Sequence, residues 1–162
     1  MKKLLLNRHA KSDWGNQSIS DFDRPLNKRG LKDAPEMAGR LLNRKIIPDI
    51  ILSSPALRAI TTAKFFSEQY SLEPIEEENI YSNGMQCLRK ILPKLDNKFS
   101  TVLCFGHNPD FTSLATFYSG EVFSNIPTCG IVCIEFDTET WENIDQLNGK
   151  LIFFDYPKSI ND

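Results

Sequence analysis

Short apolar runs that stop at turn residues alternate along this chain with longer segments of helical period, and this alternation restricts the fold more than any other feature. It predicts an α/β protein, a three-layer α/β/α sandwich with a mainly parallel central sheet. Strand candidates are residues 3–6, 49–52, 101–105, 130–136 and 151–155. Between them, Leu31, Ala34, Ala38, Leu41 and Leu42 recur at helical spacing, with Pro35 expected to start or kink that helix. Ser53-Ser54-Pro55 predicts a helix start with Ser54 as N-cap and Pro55 at the first helical position, continuing through Leu57, Ile60, Ala63 and Phe66. Two more helices are expected over 85–92 and from Pro109 through Leu114 and Phe117, whereas 141–147 fits either strand or loop.

With 162 residues, 41% of them hydrophobic, the chain is long enough to bury one real core. A single domain over 1–157 is expected, followed by a solvated tail over 158–162. Its 19 Lys and Arg nearly balance 21 Asp and Glu, so no global field would hold nucleic acid or an acidic membrane, and any anion preference must be local. Cys87, Cys104, Cys129 and Cys133 form no CxxC pair and are expected as reduced, mostly buried thiols. The apolar run near the N-terminus is too short for a signal peptide, and no segment has the length of a membrane span, which favours the cytoplasm.

The unusual residues fall where such a fold would gather them. Arg8-His9 follows the first strand, Arg58 lies at a strand-to-helix transition, and Gly106-His107-Asn108-Pro109 follows another strand. Ligands of open α/β sheets bind beyond the carboxyl ends of the strands, where helix N-termini add N–H groups suited to an anion. His9 and His107 are the only histidines of the chain. A largely neutral imidazole near pH 7 suits a nucleophile, for which His9 is the candidate. Arg8 and Arg58 provide planar forks that match phosphoryl oxygens, and a protonated His107 would add a cationic donor. Taken singly, each residue has a plainer reading: structural histidines, a solvated Arg58, or an Arg24 paired on the surface with Asp21 and Asp23. Lys28, Arg29, Lys32, Arg40, Arg44 and Lys45 are expected as an exposed helix face, and Phe65, Phe66, Phe105, Phe111 and Phe117 as core. A zinc site built from the histidines with Asp13, Asp21 or Asp110 is opposed by the arginines, which would repel a cation.

Four ordered motifs carry a resemblance. Arg8-His9-Ala10-Lys11-Ser12 resembles the RHA/RHG motif of the histidine phosphatase superfamily, whose fold is also called phosphoglycerate mutase-like. Ser53-Ser54-Pro55-Ala56-Leu57-Arg58-Ala59, with Thr61, Thr62 and Ala63, resembles its second arginine segment, and Gly106-His107-Asn108-Pro109 its second-histidine segment. Arg24-Pro25-Leu26-Asn27-Lys28-Arg29-Gly30 is similar to the RPLxxxG stretch of the short phosphohistidine phosphatase branch. The resemblance implies a phosphate pocket of Arg8, His9, Arg58 and His107, with Arg24 and Ser12 as further contacts. It also implies transfer to His9 followed by hydrolysis, with no cofactor or metal.

The chain departs from larger family members at the proton donor, for which Glu76, Glu77 and Glu78 are the nearest carboxylates and Asp21 and Asp23 the alternatives. A phosphohistidine leaving group needs little protonation, so the expected activity is a phosphohistidine phosphatase acting on a phosphorylated protein. The alternatives are a phosphomonoesterase or mutase on a small phosphometabolite, and an idle phosphate-binding module.

Overall fold

The computed structural model describes residues 1–159. The elements, in chain order, are β1 (Lys2–Arg8), α1 (Lys28–Asn43), β2 (Ile50–Ser53), α2 (Leu57–Tyr70), β3 (Ile75–Glu76), α3 (Glu78–Ile91), β4 (Thr101–Gly106), α4 (Asp110–Ser119), β5 (Ile131–Phe136) and β6 (Lys150–Asp155), with short 3-10 turns at Leu92–Lys94 and Ile144–Gln146. The sheet order is β3-β2-β4-β1-β5-β6. The members β3, β2, β4 and β1 run parallel, whereas β5 is antiparallel to β1 and β6 to β5. The α/β fold is that expected. A sixth strand, β3, is too short for a periodicity argument to find.

Alternate side chains of the central strands feed two cores, as the twofold period of a strand requires. Leu4 and Leu6 of β1, Val102 and Cys104 of β4, and Val132 and Ile134 of β5 pack under α3 and α4. Leu5, Leu103, Phe105, Ile131 and Cys133 face the opposite way, under α1 and α2. Burial on both faces explains why β1 reads as an unbroken leucine run rather than an alternating one.

The helices differ from expectation in instructive ways. α1 starts well before Pro35, capped by Asn27, whose Oδ1 accepts from the Gly30 N–H at 2.9 Å. Pro35 lies inside it on the solvent side, where water can satisfy the carbonyl that lacks a partner. Its buried stripe runs through Ala34, Met37, Ala38 and Leu41, while Leu31 and Leu42 are exposed. α2 begins at Leu57, not Pro55, and has no side-chain cap; Ser54 turns elsewhere, as described below. α3 starts seven residues before the expected 85 and breaks at Asn83, whose φ of −160° and ψ of 75° are not helical. Trp141 is fully buried, and its indole N–H donates to the Phe99 carbonyl at 2.7 Å. Phe66, Phe105 and Phe111 are core, but Phe117 is 39% exposed.

The basic face expected on α1 is not simply solvated. Arg40 donates to Asp155 at 3.2 Å and to the carbonyls of Tyr156 and Pro157, pinning the segment after β6 to the helix. Ser159 adds a bond to the Tyr156 carbonyl at 2.8 Å, so the expected tail is tethered at its start; residues 160–162 lie outside the described residues. All four cysteines are buried and free. Among the described residues no helix is long and apolar enough to cross a membrane.

Candidate active site

The sheet brings the carboxyl ends of β1, β2 and β4 side by side, with Arg8 registered against Gly106. The chain continues directly into His9 and His107, and backbone bonds fix the first of these from both sides. The His9 N–H donates to the Gly106 carbonyl and the His9 carbonyl accepts from the Cys129 N–H, each at 3.0 Å. Cys129 adopts a left-handed φ of 60°, a conformation costly to a residue with a Cβ, and lies next to this contact. One residue on, the Ala10 N–H donates to Thr62 Oγ1 at 3.0 Å, and that hydroxyl donates to the Arg58 carbonyl at 2.7 Å. α2 is thereby tied to the segment that carries His9.

Arg58 occupies the second position of α2, near the positive end of the helix dipole, and is 5% exposed. Burial lowers its pKa, and Asp21 opposes that shift. Arg58 Nη1 donates to the Asp21 carbonyl at 2.6 Å and Nη2 to its carboxylate at 3.1 Å. The same carboxylate accepts from Arg24 Nη2 at 2.8 Å and from the Tyr81 hydroxyl at 2.8 Å. Arg24 is therefore no surface residue: it is buried, it donates to Ser12 Oγ, and its guanidinium lies 3.6 Å from the centroid of the Trp14 ring. Asp21 holds the two guanidinium groups together against their mutual repulsion. Hydrogen bonds from Arg24, then Tyr81 and Arg58, hold its carboxyl well below the usual carboxylate range. A group kept ionised in this way is a poor proton donor, which removes Asp21 as the acid.

The two imidazoles lie 5.1 Å apart, centroid to centroid. His9 Nδ1 is 2.7 Å from the Ala10 carbonyl, which can only accept, so Nδ1 carries the proton and Nε2 keeps its lone pair. Burial lowers the His9 pKa to about 3; the Ala10 bond opposes this, and His107, Arg58 and Arg8 add to it. His107 is lowered to about 4, chiefly by burial and then by Arg58, which favours its neutral form near pH 7. Its Nε2 lies 2.8 Å from Ser54 Oγ, which also accepts from the Ala56 N–H. Ser54, expected as a helix cap, thus orients His107.

Arg8, His9, Ser12, Arg24, Arg58 and His107 all line one cavity of about 190 Å³, together with Lys11, Trp14, Asn108 and Thr128. Arg8 Nη1 is committed to the Ile126 carbonyl at 2.9 Å. Arg8 Nε, Arg24 Nε, Arg58 Nε and His107 Nδ1 are buried without a hydrogen-bond partner, and each belongs to a residue lining this cavity. Three guanidinium groups and two imidazoles gather on one small space whose lining contains no carboxylate, a set that suits an anion. Glu76, Glu77 and Glu78 do not line the cavity. Among the described residues no group of three His, Cys, Asp or Glu side chains is placed to hold a metal ion. Asp21 as a clamp, Tyr81, Thr62 and Thr128 were not legible in these roles from the sequence. The spacing of Asp21 three residues before Arg24, and the place of Thr62 in the second arginine motif, were the signals available.

A wider groove of about 580 Å³ adjoins the cavity and shares Arg8, Lys11 and Thr128 with it.

Comparison with known proteins agrees with this geometry. The family model of the histidine phosphatase superfamily (branch 1) matches residues 4–83. An uncharacterized chloroplastic protein of Arabidopsis thaliana is 31% identical over 161 residues, 91% of this chain and 72% of its own length. Phosphoserine phosphatase 1 of Hydrogenobacter thermophilus is 33% identical over 131 residues, 74% of this chain and 60% of that protein. A solved structure assigned as phosphohistidine phosphatase SixA of Agrobacterium tumefaciens superposes with a TM-score of 0.81 at 27% identity, covering 96% of this chain and 98% of that one. The chain belongs to the histidine phosphatase superfamily and is a phosphatase.

Proposed function

We propose that this phosphatase removes phosphoryl groups from phosphohistidine on a protein substrate, through a phosphorylated His9. The observation that carries the reading is the gathering of Arg8, Arg24, Arg58, His9 and His107 on one small cavity that no carboxylate lines, with Nε2 left as the free ring nitrogen of His9 by the Nδ1 bond to the Ala10 carbonyl. His9 Nε2 attacks phosphorus in line as the bond to the substrate imidazole breaks, and that imidazole departs as a neutral ring because its other nitrogen already carries a proton. Arg8, Arg24 and Arg58 spread over the non-bridging oxygens, where charge is held in the transition state. His107 Nδ1 donates a further hydrogen bond in the tautomer that Ser54 can support, and Ser12 keeps Arg24 aligned. Water then forms a bond to phosphorus, releases inorganic phosphate and returns the lone pair to His9. A dianion in the cavity would raise both histidine pKa values, since opposite charge favours the protonated forms.

The choice of leaving group follows from the missing acid. Asp21 is held ionised, Asp23 accepts a hydrogen bond from Ser20, and neither Asp23 nor Glu76 to Glu78 lines the cavity, so among the described residues no carboxylic acid stands ready to protonate an alkoxide. An imidazole leaves with modest protonation, which favours a phosphoramidate over an alkyl phosphate. The similarity to a phosphoserine phosphatase favours a second reading, a phosphomonoesterase acting on a small metabolite. We also assign residues 1–157 to one domain and expect it in the cytoplasm.

The deciding experiment offers a phosphohistidine-bearing protein and an aryl phosphate separately, quenches in base, and looks for acid-labile phosphate on His9. Labelling with faster turnover of the phosphohistidine donor is the expected outcome. No label from either donor in folded protein would overturn the His9 mechanism, and faster turnover of small esters would favour the second reading.

A further inference from the structure

The groove beside the phosphate cavity has a chemistry of its own. Its walls carry Arg29 and Lys32 from α1, Lys11 from the segment after His9, and Lys158 from the segment after β6. The two carboxylates on the same walls are already engaged: Asp33 with Arg29 at 3.6 Å and Glu36 with Arg40 at 2.6 Å. Among the described residues Lys11, Lys32 and Lys158 form no ion pair, in a chain whose formal net charge is −2. Positive charge is thus concentrated on the one face that continues from the reacting centre.

The kind of cation also differs between the two spaces. The phosphate cavity has two buried arginines of restricted geometry, Arg24 and Arg58, which suit one small tetrahedral anion. The groove shares Arg8 and Lys11 with the cavity and adds Arg29, Lys32 and Lys158, the lysines being point charges on flexible stems, beside a proline and tyrosine wall formed by Pro127, Tyr156 and Pro157. Such a surface matches carboxylates in variable positions on a polypeptide better than a fixed second anion of a metabolite. Its volume, about 580 Å³ against about 190 Å³, also exceeds what a phosphoryl group requires.

We propose that this groove docks an acidic stretch of polypeptide, so that the protein prefers phosphohistidine in a partner carrying Asp or Glu beside the modified residue. The proposal rests on the phosphohistidine reading above. The charges act on encounter and orientation, and their effect weakens as salt screens them over about 8 Å at physiological ionic strength.

The test compares two phosphohistidine peptides, one flanked by Asp and Glu and one by Ser and Gly, with 4-nitrophenyl phosphate and phosphoserine as small substrates. Wild type and Lys32→Glu are assayed at low and high salt, after circular dichroism has shown both to be folded. Lys32 is exposed and lines only the groove, so the variant should turn over 4-nitrophenyl phosphate normally. The expected result is about a tenfold preference of wild type for the acidic peptide in kcat/KM, expressed mainly in KM and reduced by salt. Lys32→Glu should lose most of that preference, and a Lys-flanked peptide should recover turnover by the variant. Equal turnover of the two peptides by wild type would overturn the docking proposal alone, since both would still be hydrolysed. A Lys32 dependence of phosphoserine turnover as large as that of the acidic peptide would replace the polypeptide with a small dianion. Hydrolysis of 4-nitrophenyl phosphate with neither peptide attacked would overturn the phosphohistidine reading, and docking with it.

Discussion

Replacing His9 by Ala should make the fold less sensitive to acid, even though it removes the nucleophile. In the folded protein burial lowers the His9 pKa to about 3, so the imidazole stays neutral at pH 5. An unfolded-state histidine with a pKa of about 6.5 passes over the same interval from roughly one quarter protonated at pH 7 to almost fully protonated at pH 5. The unfolded chain then binds more protons than the folded one. The associated stability is therefore present above the unfolded pKa and lost as pH falls toward the folded value. Integrated from pH 7 to pH 5, the loss is about 2 kcal/mol for one such histidine. His107, lowered to about 4, contributes a similar amount over this interval. Wild type should lose about 4 kcal/mol from the pair, and His9→Ala only about 2 kcal/mol. Any loss of packing in the variant is independent of pH and cancels from the difference. Urea unfolding of both proteins at pH 7 and pH 5, followed by circular dichroism, measures it. Equal pH losses in the two proteins, within about 0.5 kcal/mol, would show that His9 is not stored neutral and would refute the electrostatic account of the site.

Other perturbations probe the remaining parts of the site. Arg58→Ala should slow aryl phosphate turnover by about two to three orders of magnitude, and an unchanged kcat would remove Arg58 from the reacting centre. Asp21→Asn should lower kcat by about tenfold, since the Arg24 and Arg58 forks lose their shared anchor, while vanadate affinity holds or rises because the site becomes more positive. A raised KM with kcat intact would instead limit Asp21 to substrate binding. Gly30→Ala should cost about 1–3 kcal/mol in thermal or urea unfolding, because a Cβ there runs into the Lys11 backbone carbonyl, and should weaken vanadate binding as Lys11 and Ser12 shift. Wild-type stability and affinity would show that this backbone yields freely.

Much of the architecture could be read from local pattern, because strand burial and helix amphipathicity leave their periods in the sequence. The leucines of β1 and the run before His107 placed both histidines at strand ends without any knowledge of strand order. Relations that depend on distant segments were not legible. Ser54 has the residue type and position of a helix cap, and only the proximity of β4 shows that its hydroxyl serves His107 instead. Arg24 and Asp21 look like an ordinary surface pair until Arg58 and Tyr81 arrive from elsewhere in the chain. Pro35 has the usual meaning of a helix boundary, yet an exposed proline can sit inside a helix when its orphaned carbonyl meets water. Phe117 shares the period of the core phenylalanines but faces outward, since one helical position selects the face.

The reversal of direction at β5 separates two kinds of change open to this protein. Because β5 runs antiparallel to β1, the segment that precedes it arrives at the site from the opposite sense to the strands that deliver His9 and His107. Its support for the chemistry comes largely through the main chain: the Ile126 carbonyl accepts from Arg8 and Asn108, and the Cys129 N–H donates to His9. Main-chain groups are indifferent to the side chains beside them. Asn125, Pro127 and Thr128 meanwhile help to form the groove next to the reacting centre. Substitutions at Pro127, which lines the groove but not the phosphate cavity, can therefore alter which substrate is received while leaving the means of phosphoryl transfer intact. Partner choice and reaction chemistry are drawn from different parts of one short loop, and selection can act on the first without unsettling the second.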